Sequence, residues 1–187
     1  MKTLNQLLVA LSALPQAPAD AGALRRIVVR PGRGTRETPD DVVLDPETGI
    51  DGDRWRERAA RYGARYAERQ VTLIRADVAR VLTEPIDAKW TGDNFHVDID
   101  LSTHNLPAGS RLQIGDHAVI EISTKPHSGC KRFRERFGDD AARVNSHPDV
   151  RDQRIRGALA RVIVGGHVKT GDRIQVVRRG VDDNRGS

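Results

Sequence analysis

The stretch "RLQIGDHAVIEIS", residues 111–123, decides the fold class of this chain. Two short runs rich in branched apolar residues, RLQI and AVIEIS, flank a Gly115–Asp116 pair. A pair of this kind between two such runs is a hairpin signal. The segment "TGDRIQVV", residues 170–177, repeats the turn-then-strand pattern, which we attribute to local turn chemistry rather than to duplication. The sequence therefore predicts antiparallel strands joined by tight turns.

Further strands are predicted on both sides of this hairpin. The segment "NFHVDIDL", residues 94–101, alternates apolar and polar side chains, which is typical of a half-buried strand. Along the chain we count about seven or eight short strands with helices between them, and no regular strand–helix alternation. The sequence predicts a mainly β (α+β) fold, in which a closed or nearly closed barrel of about seven strands carries helices on its outside.

The N-terminal residues 1–23 predict an amphipathic helix followed by a linker. The leucines at positions 4, 7, 8, 11 and 14 recur at helical spacing, Thr3 is a suitable N-cap, and Pro15 ends the pattern. A signal peptide is the alternative, but Asn5 and Gln6 interrupt its apolar run early. Residues 24–178 would then form the barrel domain and residues 179–187 a frayed tail.

Composition limits the classes of partner. The 187 residues are 37% apolar and 30% charged, with a net charge of +5 that comes from arginines scattered among acidic residues. A nucleic-acid face would be more clustered, so nucleic acid is not the expected partner, and anionic small molecules come next. One cysteine cannot form an internal disulfide, which fits a reducing, cytoplasmic setting. No apolar run is long enough for a membrane span.

The only cysteine lies in the polar segment "KPHSGCKRF", residues 125–133. The spacing predicts a helix from Gly129 to Phe137 that places Cys130 in its first turn, with Ser128 as N-cap. The helix N-terminus, the adjacent cations and His127 all favour thiolate over thiol, and thiolate is the nucleophilic and metal-binding form. The alternative is an inert, small apolar residue beside Phe133.

Other site patterns do not fit this chain. The sequence has no second cysteine and no histidine pair four residues apart for zinc, and "RPGRG" is too short for a phosphate-binding loop. There is no strand–turn–helix serine motif either. Any chemistry is therefore expected at Cys130 and at the groups that approach it.

An ordered set of stretches resembles the MOSC domain, the module named for the C-terminal part of molybdenum cofactor sulfurases. The set is "GIDGDRW", "RQVTLI", "TGDNFHVDIDL", "NLPAGSRLQIGD", then a strand leading to one cysteine, and finally "GALARVIVGGHVKTGDRIQV". The resemblance covers residues 24–178 and implies a distorted β-barrel with peripheral helices. It also implies that Cys130 is the catalytic residue and a ligand to molybdenum, as in the amidoxime-reducing members of the family.

The resemblance implies further cofactor-binding residues: Asp53, Arg54, Arg69 and Asn94 occupy matching positions, and Lys125, His127 and Arg132 flank the cysteine. The pterin part of the molybdenum cofactor (molybdopterin) ends in a phosphate, which arginine is suited to bind. Turn or capping roles for Asp53 and Asn94, and salt bridges for Arg54 and Arg69, are the alternatives.

Two classes of function remain open. The first is a molybdenum cofactor-binding protein that acts as a reductase of N-oxygenated compounds, or as a sulfur or cofactor carrier through Cys130. It would need a sulfur donor or an electron-transfer protein, since one cysteine cannot hold an iron–sulfur cluster. The alternative is a non-catalytic binding module whose arginine-rich pocket takes a phosphorylated small molecule or an acidic partner. Whether the chain is an enzyme stays open between these classes.

Overall fold

A computed structural model describes residues 1–128 and 130–181 of the chain. Gly129, the predicted start of the helix, and most of the predicted frayed tail lie outside the described residues. The helices are α1 Leu4–Ser12, α2 Trp55–Tyr62, α3 Ala76–Thr83 and α4 Lys131–Arg143, with 3₁₀ helices at Ala64–Arg69, Ala88–Thr91, Val144–Ser146 and Arg151–Gln153. The strands are β1 Ala21–Ile27, β2 Asp41–Asp45, β3 Gly49–Ile50, β4 Val71–Arg75, β5 Phe95–Asp98, β6 Arg111–Ile114, β7 Ala118–Ile122, β8 Ala158–Val164, β9 Gly166–Lys169 and β10 Arg173–Arg178.

Seven strands form a closed barrel in the order β1-β10-β6-β7-β8-β4-β5. The neighbouring strands are antiparallel except β4 and β5, which run parallel and are connected through α3. Strand β1 pairs with both β10 and β5, and this double pairing closes the barrel. A small sheet, β3-β2-β9, lies beside it. The predicted seven-stranded barrel with peripheral helices is confirmed.

The hairpin predicted at residues 111–123 is confirmed as β6–β7. Ile114 pairs with Ala118 next to the turn, and Gly115 has a φ of 61°, a left-handed conformation that favours glycine. The Gly115 N–H donates to the carbonyl of Arg173 over 2.9 Å, which attaches the turn to β10. This turn lies at the end of the barrel opposite to the C-terminal end of β7.

The molecule has two apolar clusters. Aliphatic side chains fill the barrel, while α1, α3 and α4 pack together outside it through residues such as Leu7, Leu82 and Phe137. Thr3 caps α1 as predicted, because its hydroxyl accepts from the Gln6 N–H while the Gln6 side chain accepts from the Thr3 N–H. None of the helices in the described part of the chain is long and apolar enough to cross a membrane.

Two boundaries differ from the expected ones. Strand β1 begins at Ala21, inside the predicted linker. The strand predicted over residues 94–101 is shorter, and His96, which was expected on a solvent-facing side, is only 2% exposed. Helix α3 packs against β5, so both faces of the strand are covered at this point. Alternation of polar and apolar residues therefore overstated the exposure of this strand.

The prediction for the cysteine helix was wrong at its start. Cys130 is the N-cap of α4, with extended backbone angles (φ −86°, ψ 166°), and it is not a residue of the first turn. The Phe133 N–H donates to the Cys130 carbonyl over 2.9 Å, as the first bond of the helix. The helix also continues beyond Phe137 through a kink at Gly138, where φ is 89°. Phe133 and Phe137 are buried as expected.

Candidate functional site

Four segments meet at the end of the barrel where β7 leads toward α4. They are the loop after β1, the start of α2, the turn before β5, and the segment that contains residues 123–128 and Cys130. Contacts join all four: Arg30 binds Asp53 and donates to the Gly92 carbonyl over 3.2 Å, and Asp93 binds His127. Cys130, a free and exposed cysteine, stands at the edge of this region. We treat this end of the barrel as the candidate site.

Arg30 is fixed in the wall of the site by two side chains. Its Nε donates to Asp53 Oδ2 over 2.7 Å, and its Nη2 donates to Asp53 Oδ1 over 3.1 Å and to Asn94 Oδ1 over 3.0 Å. Asp53 and Asn94 have no exposed side-chain surface. This bidentate, fully buried arrangement holds the Arg30 guanidinium in one orientation.

Asp53 and Asn94, both predicted to bind the cofactor, have their polar atoms engaged by the protein. Asn94 Oδ1 also accepts from the Thr72 N–H and hydroxyl, while its Nδ2 donates to the Val28 carbonyl and to Asp53. Asp53 accepts in addition from the Trp55 N–H over 2.9 Å. The Asn94 amide uses both of its hydrogens in these bonds, and the Asp53 carboxylate has none to donate. The two residues therefore orient Arg30 and offer no free donor to a ligand.

A second buried network links Asp93 with His127 and Arg156. Asp93 Oδ1 lies 3.0 Å from His127 Nε2, and Arg156 Nη1 donates to Asp93 Oδ2 over 3.2 Å. Burial acts to raise the pKa of the Asp93 carboxyl, but Arg156 and His127 outweigh it and hold that pKa well below its usual range. The Arg156 guanidinium also lies 4.0 Å from the ring of Phe133, which couples the network to α4.

This network decides the protonation of His127. Because a carboxylate only accepts, Nε2 carries the proton that is shared with Asp93, and Nδ1 is left with a lone pair. Burial lowers the pKa of His127, while Asp93 opposes that shift. Nδ1 is buried and has no hydrogen-bond partner within the described part of the chain. A neutral imidazole with one unused acceptor therefore lies three residues before Cys130.

Three arginines beside these networks lack a counter-ion, and we call them the arginine cluster: Arg36, Arg54 and Arg136. None of them forms an ion pair with a carboxylate of the described residues. The Nε atoms of Arg36 and Arg54 are buried without a hydrogen-bond partner. Burial, followed by repulsion from Arg30, Arg136 and Arg54, lowers the pKa of Arg36 to about 10. Cations that are held together in this way are suited to bind an anion.

The turn before β5 holds the arginine cluster in place. Arg136, on α4, donates to the Trp90 carbonyl over 2.9 Å, and its guanidinium lies 4.6 Å from the Trp90 ring. Gly92 has a φ of 86°, and a Cβ at this position would lie 3.3 Å from Arg36 Nη2. Glycine at position 92 therefore provides both the turn and the space that Arg36 occupies.

The remaining predicted residues lie around this centre. Burial, then repulsion from Arg58, Arg30 and Arg132, lowers the pKa of Arg54, which brings Arg132 into the same field. Arg69 stacks against the Tyr66 ring at 5.5 Å, and its Nε is also buried without a partner. Lys125 is exposed on the segment after β7. The structure thus places Arg54 in the same electrostatic field as Arg132, which with His127 and Lys125 flanks Cys130 in the sequence, while Arg69 packs on Tyr66.

Sequence reasoning missed Arg30, Arg36, Arg136, Asp93 and Arg156. Arg30 and Arg36 belong to a glycine- and proline-rich segment that was compared only with phosphate-loop patterns. Asp93 gave a weak signal, because it follows a glycine in a turn and was assigned no role. No local pattern marks Arg136 or Arg156, since only the folded chain places them here.

The donor set can be compared with the cofactor that the resemblance implies. Among the described residues no group of three His, Cys, Asp or Glu side chains could hold a metal ion. A metal at Cys130 would therefore need the other ligands to come from a cofactor. An exposed thiol suits a soft metal, and partly buried arginines without counter-ions suit a phosphate. The residues present fit a phosphorylated, metal-carrying group.

Comparison with solved structures agrees with the fold. The YuaD protein from Bacillus subtilis matches with a TM-score of 0.62 at 18% identity, covering 83% of this chain and 95% of that chain. YiiM from Escherichia coli matches with a TM-score of 0.54 at 19% identity, covering 90% of this chain and 73% of that chain. A comparison with curated protein sequences finds no match.

The sequence profile of the MOSC domain matches residues 63–175. The matched region runs from the end of α2 to β10 and includes Asp93, His127, Cys130 and Arg136. It spans more than half of the 187 residues. On this match, the chain belongs to the MOSC domain family.

Proposed function

We propose that this protein binds the molybdenum cofactor at the candidate site, with Cys130 as the protein ligand to the metal and the arginine cluster on the pterin phosphate. One observation carries the proposal. Three partly buried arginines without a counter-ion, two of them with a buried Nε that has no hydrogen-bond partner, lie at the same end of the barrel as an exposed thiol, in a chain of the MOSC family. A phosphate supplies the missing negative charge, and a thiolate supplies a soft ligand.

The chain's own residues would have distinct tasks. Asp53 and Asn94 keep Arg30 oriented toward the ligand, and Asp93 fixes the His127 tautomer so that Nδ1 can accept a proton or a hydrogen bond. The cofactor, when bound, supplies a metal that can exchange electrons and accept an oxygen atom. His127 has an unpaired Nδ1 opposite its Asp93-bound Nε2, and such an imidazole suits proton handling if the substrate comes within hydrogen-bond reach.

Two activities are compatible with this arrangement. As a reductase, the protein would convert an N-hydroxylated compound, two electrons and two protons into the N–H compound and water, with the electrons coming from a partner protein. As a carrier, Cys130 would take a sulfane sulfur from a donor persulfide, which releases the donor thiol and leaves a persulfide on Cys130. Both activities require a second protein.

The test is the cofactor content of protein purified from a molybdenum-replete, cofactor-making host. We expect wild-type protein to contain molybdenum and a pterin that fluoresces after oxidation. Cys130→Ser should lose most of the metal. Arg36→Ala should contain at least about tenfold less molybdenum and pterin than wild type. A tenfold loss of affinity corresponds to about 1.4 kcal/mol. Arg173→Ala, on an exposed arginine at the opposite end of the barrel, is the matched control. Wild-type protein with neither molybdenum nor pterin would overturn the proposal.

Mass spectrometry separates the two activities. A carrier, when incubated with a persulfide donor, should gain the mass of one sulfur atom on Cys130, and a reductant should reverse the gain. A reductase should instead consume an N-hydroxylated substrate with supplied electrons and show no lasting modification.

A binding module for phosphorylated ligands is the second candidate, because the arginine cluster alone could bind a phosphate. In that case Cys130→Ala would leave the affinity for pyrophosphate and for the pterin unchanged. A tenfold loss of affinity for the pterin in this variant, about 1.4 kcal/mol, counts against the module.

A further inference from the structure

The segment around Cys130 carries an exposed positive surface that is separate from the arginine cluster. We call it the basic rim: Lys125, Lys131 and Arg132. All three are exposed and lie within five residues of Cys130 in the sequence. The side chain of Lys131 is 89% exposed. Because these cations face solvent, they act on whatever approaches Cys130 from solution.

The basic rim is poorly neutralised by its surroundings. Lys131 lies 3.8 Å from Glu135, but both side chains are mostly exposed, so this ion pair contributes little. Lys125 and Arg132 form no ion pair within 4 Å of a described carboxylate, although Lys125, after hydrogen bonds from Ser123 and Thr124, helps to lower the pKa of Glu68. Arg54 adds to the same positive field: burial and then repulsion from Arg58, Arg30 and Arg132 lower its pKa. The result is a positive surface beside an exposed thiol.

We propose that the basic rim is the docking surface for an electron-transfer protein that serves the site at Cys130, and that this partner presents acidic residues around its own redox centre. The inference rests on the reductase version of the proposed function, since that version needs an electron donor. Complementary charge steers association and fixes orientation more than it adds affinity. Cations placed around the reactive atom would therefore bring an acidic donor to it in a productive orientation.

The extent of the surface favours a protein over a nucleic acid. A nucleic-acid face extends as a stripe of many cations. Here the exposed acidic residues Glu57, Glu135 and Asp139 interrupt the positive surface on α2 and α4. A compact set of three cations matches a small acidic patch on a globular partner.

The test measures association of the full-length chain with acidic electron carriers, a [2Fe–2S] ferredoxin and a flavodoxin, at about 50 and about 200 mM salt. The rim variant is Lys131→Glu with Arg132→Glu. Acidic residues in the first turn complement the helix dipole, so this variant is expected to fold. The control variant is Lys169→Glu with Arg173→Glu, which makes the same change in charge near the β6–β7 turn at the opposite end of the barrel.

We expect wild-type protein to associate with at least one carrier, more slowly at the higher salt concentration. The rim variant should lower the association rate by about tenfold at low salt, and the control variant by less than about twofold. Three results would overturn the inference: no association with either carrier, equal effects of the two variants, or tighter binding of a single-stranded oligonucleotide at the rim.

The measurement is made on both cofactor-loaded and cofactor-free protein, so that two failures can be told apart. Rim-dependent association, together with wild-type protein that is never isolated with molybdenum or pterin, would leave the docking surface standing and remove the proposed function. Wild-type protein that contains the cofactor but shows no rim-dependent association would remove the docking surface and leave the proposed function standing.

Discussion

At the scale of single residues, His96 shows how a buried ionisable group ties stability to pH. Its side chain is 2% exposed on β5, and its Nε2 has no hydrogen-bond partner among the described residues. Burial lowers the pKa of His96 to about 4, while Asp93 opposes that shift. Arg26 and Arg156 lower this pKa further and Asp87 raises it, so charges from several elements act on the same ring. The folded protein therefore holds His96 in its neutral form.

We predict that His96 makes the protein less stable as the pH falls. In the unfolded chain its pKa is about 6.5, so the unfolded state takes up a proton first. This contribution to stability is fully present above about pH 6.5 and is lost as the pH falls toward 4. The loss in unfolding free energy is about 3 kcal/mol for the depression of its pKa to about 4. Urea denaturation at several pH values measures it.

The comparison is between wild-type protein and His96→Phe, with His117→Gln as the control at an exposed histidine. The difference in unfolding free energy between wild type and His96→Phe should change by about 3 kcal/mol over this pH range. Wild type and His117→Gln should differ by a constant amount. A constant difference for His96→Phe as well would contradict the prediction.

At the scale of elements, the start of α4 combines a structural role with a reactive one. Cys130 is the N-cap, but its side chain makes no capping hydrogen bond. Serine, threonine, aspartate and asparagine are the usual residues at this position, because their oxygen accepts from an N–H group of the first turn. The chain thus has a poor capping residue where the candidate site has its thiol. This is a local conflict of the kind that occurs at functional sites.

We predict that Cys130→Ser is more stable than Cys130→Ala by about 1 kcal/mol, because only the serine can cap α4. Chemical denaturation of the two variants in cofactor-free form measures the difference. Cys130→Ser should also be at least as stable as wild type while it loses the metal. If Cys130→Ala were as stable as Cys130→Ser, the position would not act as an N-cap.

Elements with local signals could be predicted from the sequence, whereas the site could be predicted only in part. The β6–β7 hairpin and the cap of α1 depend on residues a few positions apart, so their patterns are visible in the chain. Asp93 and Arg156 are separated by 63 positions, and Arg30 and Asn94 by 64, so no local pattern links them. The start of α4 was misplaced for a related reason: Cys130 is an atypical N-cap, and Ser128 looked more suitable.

At the scale of the whole molecule, the distribution of charge matters more than its total. The net charge of +5 is modest for 187 residues, yet Arg36, Arg54 and Arg136 are held together without a carboxylate partner. Like charges at close range destabilise the folded state unless an anion neutralises them. The ligand-free protein therefore has a less stable fold than its packing would allow, and an anion should recover the difference.

We predict that pyrophosphate stabilises wild-type protein and that Arg36→Ala abolishes this effect. At about 100 times its dissociation constant, the gain in unfolding free energy is about 2.7 kcal/mol. Without any anion, Arg36→Ala should be as stable as wild type or more stable, because one cation is removed from the cluster. Thermal unfolding with and without pyrophosphate measures both effects. The control Arg173→Ala should respond to pyrophosphate as wild type does, and an equal response of Arg36→Ala would contradict the prediction.

The closure of the barrel has a consequence for the protein while it is being made. Strand β1 pairs with β10, so that Ala21 lies opposite Gln175, near the two ends of the barrel domain. Until β10 has been synthesised, β1 and β6 each have an unpaired edge, and exposed edges of this kind can pair with other chains. We therefore expect association with other chains to compete with closure of the barrel until β10 has left the ribosome.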